Sequence, residues 1–193
     1  KKGDLVFAFC GFGFGAYAEY RCLPENVMIA IKPSNMTFEE AATVPIGGMT
    51  ALAFLKQSGI KNGDHVLIYG ASGSVGTFAV QIAKAYGAMV TAVCSTSNVE
   101  IVRQLGADTV IDYTQQDFTK ISERFHFVFD AVGKSSFANC KKLLHEKGIY
   151  ISTELGKNSA NIFLALTTPL TGGKRVLFPL PTISKADVVF LKE

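Results

Sequence analysis

The sequence predicts an α/β fold: a doubly wound parallel sheet of six strands, preceded by a small β module. Three observations point there. From residue 61 onward, short apolar runs alternate with helical patterns. The first of those runs passes into a helix through a glycine-rich loop at residues 70–76. The chain is 48% hydrophobic and only 18% charged, a balance that suits a sheet buried on both faces.

The elements follow in order. Residues 1–36 read as short strands and turns: 5–9 and 17–20 are predicted strands, 11–15 is a glycine-rich turn, and Pro24 and Pro33 exclude helix. Thr37 then opens a helix as its N-cap, with Glu40 at the third helical position completing a capping box. Pro45 and Gly47-Gly48 are expected to interrupt that helix, and 49–55 to resume it until near Gly59. Residues 66–69 form the first sheet strand, and Val75, Phe78, Ala79, Ile82, Ala83 and Tyr86 recur at helical spacing behind it. The second strand is 90–94. Val99, Val102 and Leu105 mark a helix, and 109–111 is the third strand. The fourth strand, 127–129, leads into a helix predicted to run through Leu143-Leu144. The fifth strand is 149–151 and the sixth 176–178, with Glu193 inside a last helix. Strands separated by helices imply parallel pairing through right-handed crossovers.

Composition excludes several functions. A chain of 193 residues fits one domain of ordinary size and part of another. The net charge is +3 with scattered lysines, which argues against nucleic acid. No apolar run approaches the ~18 residues of a membrane span. The opening Lys1-Lys2-Gly3-Asp4 has no signal-peptide character. Cys10, Cys22, Cys94 and Cys140 form no CxxC pair and have no histidine at metal spacing. They read as free buried thiols in a reducing, cytoplasmic setting.

The loop Gly70-Ala71-Ser72-Gly73-Ser74-Val75-Gly76 carries the chemistry. Small residues there let backbone N–H groups approach a pyrophosphate, which a helix N-terminus and its dipole then hold. Gly76 lets the helix pack closely on the strand, and Ser72 and Ser74 add hydroxyl donors. Strand, loop, helix and second strand come in the order a dinucleotide site requires; the alternative is a tight structural turn. Gly11-Phe12-Gly13-Phe14-Gly15-Ala16 has similar spacing, but Pro24 leaves no room for a helix, so it reads as a turn in the β module. No serine in the 70–76 loop has the flanking glycines of a nucleophile elbow. The second strand ends Cys94-Ser95-Thr96-Ser97-Asn98, where NAD enzymes place a carboxylate for the ribose. Here no carboxylate repels a 2′-phosphate and four small polar side chains can donate to one, which favours NADP over NAD.

These residues together resemble the medium-chain dehydrogenase/reductase superfamily. Lys2-Gly3-Asp4-Leu5-Val6 and Gly15-Ala16-Tyr17-Ala18-Glu19-Tyr20 look like the end of its GroES-like catalytic domain. The run from Ala41 to Leu52 looks like its interdomain helix. Tyr69 to Gly76, Leu105-Gly106-Ala107-Asp108, Ile111-Asp112-Tyr113 and Asp130-Ala131-Val132-Gly133 resemble its quinone oxidoreductase branch. The resemblance implies a partial GroES-like β module at 1–36, an interdomain helical segment at 37–60 and an NAD(P)-binding Rossmann domain at 61–193. The first part of the catalytic domain and the C-terminal return to it are expected outside these residues, so the piece should bind cofactor but turn over poorly.

Roles by position follow from the same resemblance. Thr50 would lie against the nicotinamide. Ser72, Gly73, Ser74, Val75 and Gly76 would hold the pyrophosphate. Ser95, Thr96 and Asn98 would face the adenosine phosphate, with Tyr113 beside it. Val132 and Gly133 would line the adenosine-side ribose path, and Phe178 would sit near the nicotinamide amide. Tyr113 as a surface aromatic and Phe178 as core are the plain alternatives. Zinc-dependent members carry a third protein ligand about four residues before the threonine; Ile46 stands there, beside Pro45 and Gly47, and none binds metal. The implied enzyme is therefore zinc-independent and passes hydride from NADPH to a quinone or α,β-unsaturated carbonyl. It would be a cytoplasmic homodimer pairing through the sixth Rossmann strand. No catalytic acid stands out; His65, His126 and His145 read as solvated or capping groups at a strand start, a strand start and a helix end. An alcohol dehydrogenase of the same superfamily, and a non-catalytic NADPH-sensing or partner-binding protein, are the alternatives.

Overall fold

Alternation between two faces builds the sheet. In β3 (His65–Tyr69), Val66 and Ile68 enter one apolar cluster while Leu67, between them, enters another. The computed structural model that shows this describes residues 1–11, 15–24, 27–179 and 184–192. β3 is joined by β4 (Met89–Cys94), β5 (Thr109–Asp112), β6 (Phe125–Asp130), β7 (Leu144–Ser152) and β8 (Arg175–Leu177) in the order β5-β4-β3-β6-β7-β8. Every pair is parallel. On one face lie α1 (Phe38–Ser58), α2 (Ser74–Ala85) and α3 (Val99–Gln104), contributing Leu52, Leu55, Ala79, Val80 and Val102. On the other, α4 (Phe137–Cys140) supplies Phe137 and Cys140, with Leu164 and Ala165 of α5 (Ala160–Thr167) packed alongside. This is the expected Rossmann-like, doubly wound six-stranded sheet. The chain builds outward from β3 to β5, then returns across β3 to start β6, so the crossover point lies between β3 and β6.

Ahead of the sheet, β1 (Val6–Phe9) and β2 (Met28–Ile31) form an antiparallel pair. Phe7 and Ala30 from this pair, Ala41, Val44 and Met49 from α1, and Val188 from α6 (Lys185–Phe190) make a third cluster.

Four local expectations are corrected. Residues 17–19 form bends and Tyr20 lies in no strand; Tyr17 and Tyr20 are almost wholly exposed, and among the described residues no strand pairs with them. α1 runs unbroken through Pro45, Gly47 and Gly48. Proline costs the helix one hydrogen bond, but the two glycines are packing devices. A methyl at Gly47 would lie 2.5 Å from Ser74 Oγ and 2.9 Å from the Phe78 ring, so α1 and α2 close on each other through that gap. The helix after β6 stops at Cys140, followed by a single 3₁₀ turn, and Leu144 already begins β7 by pairing with Phe125. His145 therefore lies in a strand, where its ring packs 4.6 Å from that of His126, whose Nδ1 accepts the His65 backbone N–H at 2.9 Å. Of the four free cysteines only Cys94 and Cys140 are buried; Cys22 is exposed. The expected Gly11–Ala16 turn falls largely on residues 12–14, outside the described residues.

Candidate functional site

An accounting of backbone donors locates the site. Past β3, Gly70 adopts the left-handed region at φ 81°, and the N–H groups of Gly70 and Ala71 donate to the Val93 carbonyl. Gly73 N–H closes a turn on the Gly70 carbonyl at 3.0 Å. Thr77 N–H is the first to bond back within the helix, onto Gly73 O at 2.9 Å. Between them, the amide hydrogens of Ser74, Val75 and Gly76 meet no acceptor among the described residues. Gly73 is the N-cap and offers no side chain, and the first turn of α2 holds no acidic residue. Three unpaired N–H groups and the positive end of a twelve-residue helix thus stand at the carboxyl end of the central strand, beside the crossover. Such a place takes an anion. Gly76 has a separate duty: a methyl there would collide with the Gly70 carbonyl oxygen, so only glycine lets α2 start against the loop. Gly73 spends its own amide on the turn, so the free donors come from the residues after it.

On the β4–β5 side the predicted polar residues meet. Asn98 Nδ2 donates to Ser72 Oγ at 3.2 Å and to Ser95 Oγ at 3.0 Å, tying the first loop to the second. Thr96 does something else. Its hydroxyl donates to Asp112 Oδ2 at 2.6 Å, and Thr114 gives Asp112 Oδ1 both its hydroxyl and its amide. The Thr96 hydroxyl, above all, holds the Asp112 carboxyl below the usual range. The expectation of a carboxylate-free pocket is therefore corrected: sequence distance hid Asp112, which β5 brings beside Thr96. Tyr113 follows it, half exposed, edge-on to Tyr69 at 6.4 Å.

On the other side of β3, Val132 closes over Gly70, where an added methyl would strike its Cγ1. Gly133 is left-handed at φ 65°. Beneath both sits Asp130, fully buried at the end of β6. Its Oδ1 accepts from Val132 N (3.2 Å) and Gly133 N (2.8 Å), and its Oδ2 from Ser135 N (2.9 Å) and the Tyr150 hydroxyl (3.0 Å). Burial first, and then the Asp130 charge, push the Tyr150 hydroxyl's pKa up. The same two causes raise Cys140, against an opposing Ser135 hydrogen bond, to about 11. Thr50 is half buried on α1, one turn beyond Gly47, which abuts Ser74. Phe178 is half buried just past β8, with β6 and β7 between it and β3, so the structure does not bring it to the loop. Asp112 and Asp130 are the polar residues that motif spacing gave no role. Their shared signal is an acid as the last residue of a strand, followed by a turn. Among the described residues, no group of histidine, cysteine and acidic side chains is arranged to hold a metal.

Known proteins share this architecture. The chain is 34% identical to the chloroplast envelope quinone oxidoreductase homolog of Arabidopsis thaliana, over 97% of this chain and 59% of that protein. It is 39% identical to the Arabidopsis NADPH-dependent alkenal/one oxidoreductase, over 69% of this chain and 36% of that one. The solved structure of the quinone oxidoreductase from Coxiella burnetii superposes with a TM-score of 0.83 at 31% identity, covering 98% of this chain and 59% of that one. The chain thus spans between about a third and three-fifths of the length of these relatives. The family description zinc-binding dehydrogenase matches residues 74–177, more than half the chain. From the sheet, the glycine loop and this match, the chain belongs to the zinc-binding dehydrogenases of the medium-chain dehydrogenase/reductase superfamily.

Proposed function

We propose that the protein is an NADP(H)-dependent oxidoreductase that passes hydride to a quinone or an α,β-unsaturated carbonyl without zinc. The uncapped start of α2 carries this reading: three amides with no partner among the described residues, at the carboxyl end of β3, match a diphosphate. The site fits a nicotinamide dinucleotide, which when bound supplies the hydride. The chain's own residues bind and orient it. Ser74, Val75 and Gly76 hold the diphosphate through their amides, with the Ser72 hydroxyl beside them. Ser95 and Asn98 take the adenosine phosphate, and Tyr113 flanks the adenine. Thr50 and Phe178 belong to the nicotinamide end. A quinone or enone acceptor is supported by the relatives' names, and zinc-independence by Ile46, an exposed hydrocarbon at the expected ligand position. Residues 1–36, 37–60 and 61–193 divide as catalytic-domain remnant, connecting helix and cofactor domain. The protein pairs as a homodimer through β8 and works in the cytoplasm.

The test is calorimetric titration of the chain with NADPH and with NADH. NADPH should bind more tightly, and absence of binding by either would end the proposal. Stoichiometric zinc in the isolated protein would move it to the alcohol dehydrogenases. Tight NADPH binding with no oxidation across a panel of quinones and enones by the full-length subunit would instead mark a sensor.

A further inference from the structure

Asp130 is surrounded by donors alone: three backbone N–H groups and one hydroxyl. That set suits a carboxylate, which only accepts, and it fixes the direction of the loop above it. In a trans peptide the N–H and the preceding carbonyl point opposite ways. With the amides of Val132, Gly133 and Ser135 drawn down to Asp130, the carbonyls of Ala131, Val132 and Lys134 turn away from it. The two loops flanking the crossover are thus opposite in polarity. Residues 74–76 present N–H donors suited to phosphate, and the carbonyls of Ala131, Val132 and Lys134, turned from Asp130, are acceptors that repel phosphate and attract hydroxyl or amide hydrogens.

We infer that Asp130, braced by Tyr150, is a positioning residue that makes the loop after β6 an acceptor surface for the hydroxyl-bearing nicotinamide riboside half of the dinucleotide. This rests on the dinucleotide reading above and adds to it. The adenosine half lies on the β4–β5 side, where Ser72, Ser95 and Asn98 gather. A ligand that crosses at the switch point carries its other half onto the β6 side. Val132 and Gly133 accordingly serve the nicotinamide side rather than the adenosine side the resemblance implies. Phosphate specificity and ribose orientation then reside in separate loops, and Asp130 acts on the second only.

The two halves can be weighed separately by titrating the 193-residue chain with NADPH and with 2′,5′-ADP, which carries the adenosine phosphates but no nicotinamide riboside. Asp130→Asn keeps the size but offers one acceptor oxygen, enough for Val132 and Gly133 or for Ser135 and Tyr150, not both. It should weaken NADPH by about tenfold and leave 2′,5′-ADP within about twofold. The amide resonances of residues 132, 133 and 135 should shift while those of α2 stay in place. Tyr150→Phe, which takes one donor from Asp130 and leaves both carboxylate oxygens in place, should weaken NADPH by about threefold with the same selectivity, and it carries the comparison if the first variant does not fold. NADPH affinity unchanged in both variants, or equal loss of both ligands, overturns the role of Asp130. Failure of the unmodified chain to bind either ligand overturns the dinucleotide reading instead, before any variant is compared.

Discussion

Single residues decide whether the loop can form and what it accepts. Gly76 has no space for a methyl group, because the Gly70 carbonyl oxygen occupies it. Gly76→Ala should therefore cost about 1–3 kcal/mol of stability, read as a lower melting temperature, and should weaken NADPH as the start of α2 is displaced. An unchanged melting temperature would show that the helix start tolerates the shift. On the NADP(H) reading proposed above, Asp112 acts on the cofactor preference from the other side. Its charge stands one hydroxyl away from the place assigned to the 2′-phosphate, and the Thr96 bond keeps it ionised. Asp112→Asn should raise the ratio of NADPH to NADH affinity by roughly five- to tenfold through lost repulsion. A constant ratio would remove Asp112 from the pocket. The glycine loop was legible in the sequence because its strand, turn and helix are contiguous. Asp112 and Asp130 were not, because their importance comes from neighbours brought close by the sheet: Thr96 lies on the preceding strand's loop and Tyr150 on the following strand.

Elements follow the apolar pattern wherever one face is buried, and depart from it where tertiary contacts outweigh local preference. The six strands and the capping box at Thr37 are read directly from the residues. Pro45 and the glycine pair mislead because their local signature is a break, while the Phe78 ring of α2 fills the space the glycines leave. Likewise the polar 145–147 stretch hides the start of β7, which only its pairing with β6 makes extended. α6 shows a different kind of attachment. Asp187 caps its own helix through Ser184 and receives Lys56 Nζ from α1 at 2.8 Å. Burial pushes this carboxyl up, but the hydrogen bonds from Lys56 and Ser184 outweigh it and leave it below the usual range. A folded pKa lowered below the unfolded value of ~3.9 means stability present above that pH and lost as pH falls. Hydrogen exchange at residues 184–192 should therefore speed up below about pH 4 before the sheet loosens. Lys56→Met should blunt that acid response, and an identical profile in the variant would separate Lys56 from it.

At the scale of the whole molecule, β5 and β8 are the two edges of the sheet, and among the described residues neither has a strand beyond it. Beside β8, Phe163, Leu166 and Leu170, on α5 and the turn after it, are mostly exposed. Sedimentation should find a dimer, and Leu170→Glu with Leu166→Glu should turn it into a monomer without altering NADPH affinity. A monomeric parent protein would end the pairing through β8. The β pair and the sheet are joined by α1, whose Val44 and Met49 belong to one apolar cluster and whose Leu52 and Leu55 belong to the other. Because that helix continues through Pro45 for 21 residues, it acts as a rod of about 32 Å with no joint along its length. The β pair packs on Ala41, Val44 and Met49 of that rod while Leu52 and Leu55 seal its other half into the sheet core, so one stiff element sets where the pair stands relative to the sheet. Stiffness in the middle of the chain thus becomes register: Gly47 of the rod, seated against Ser74, cannot shift without carrying the β pair with it.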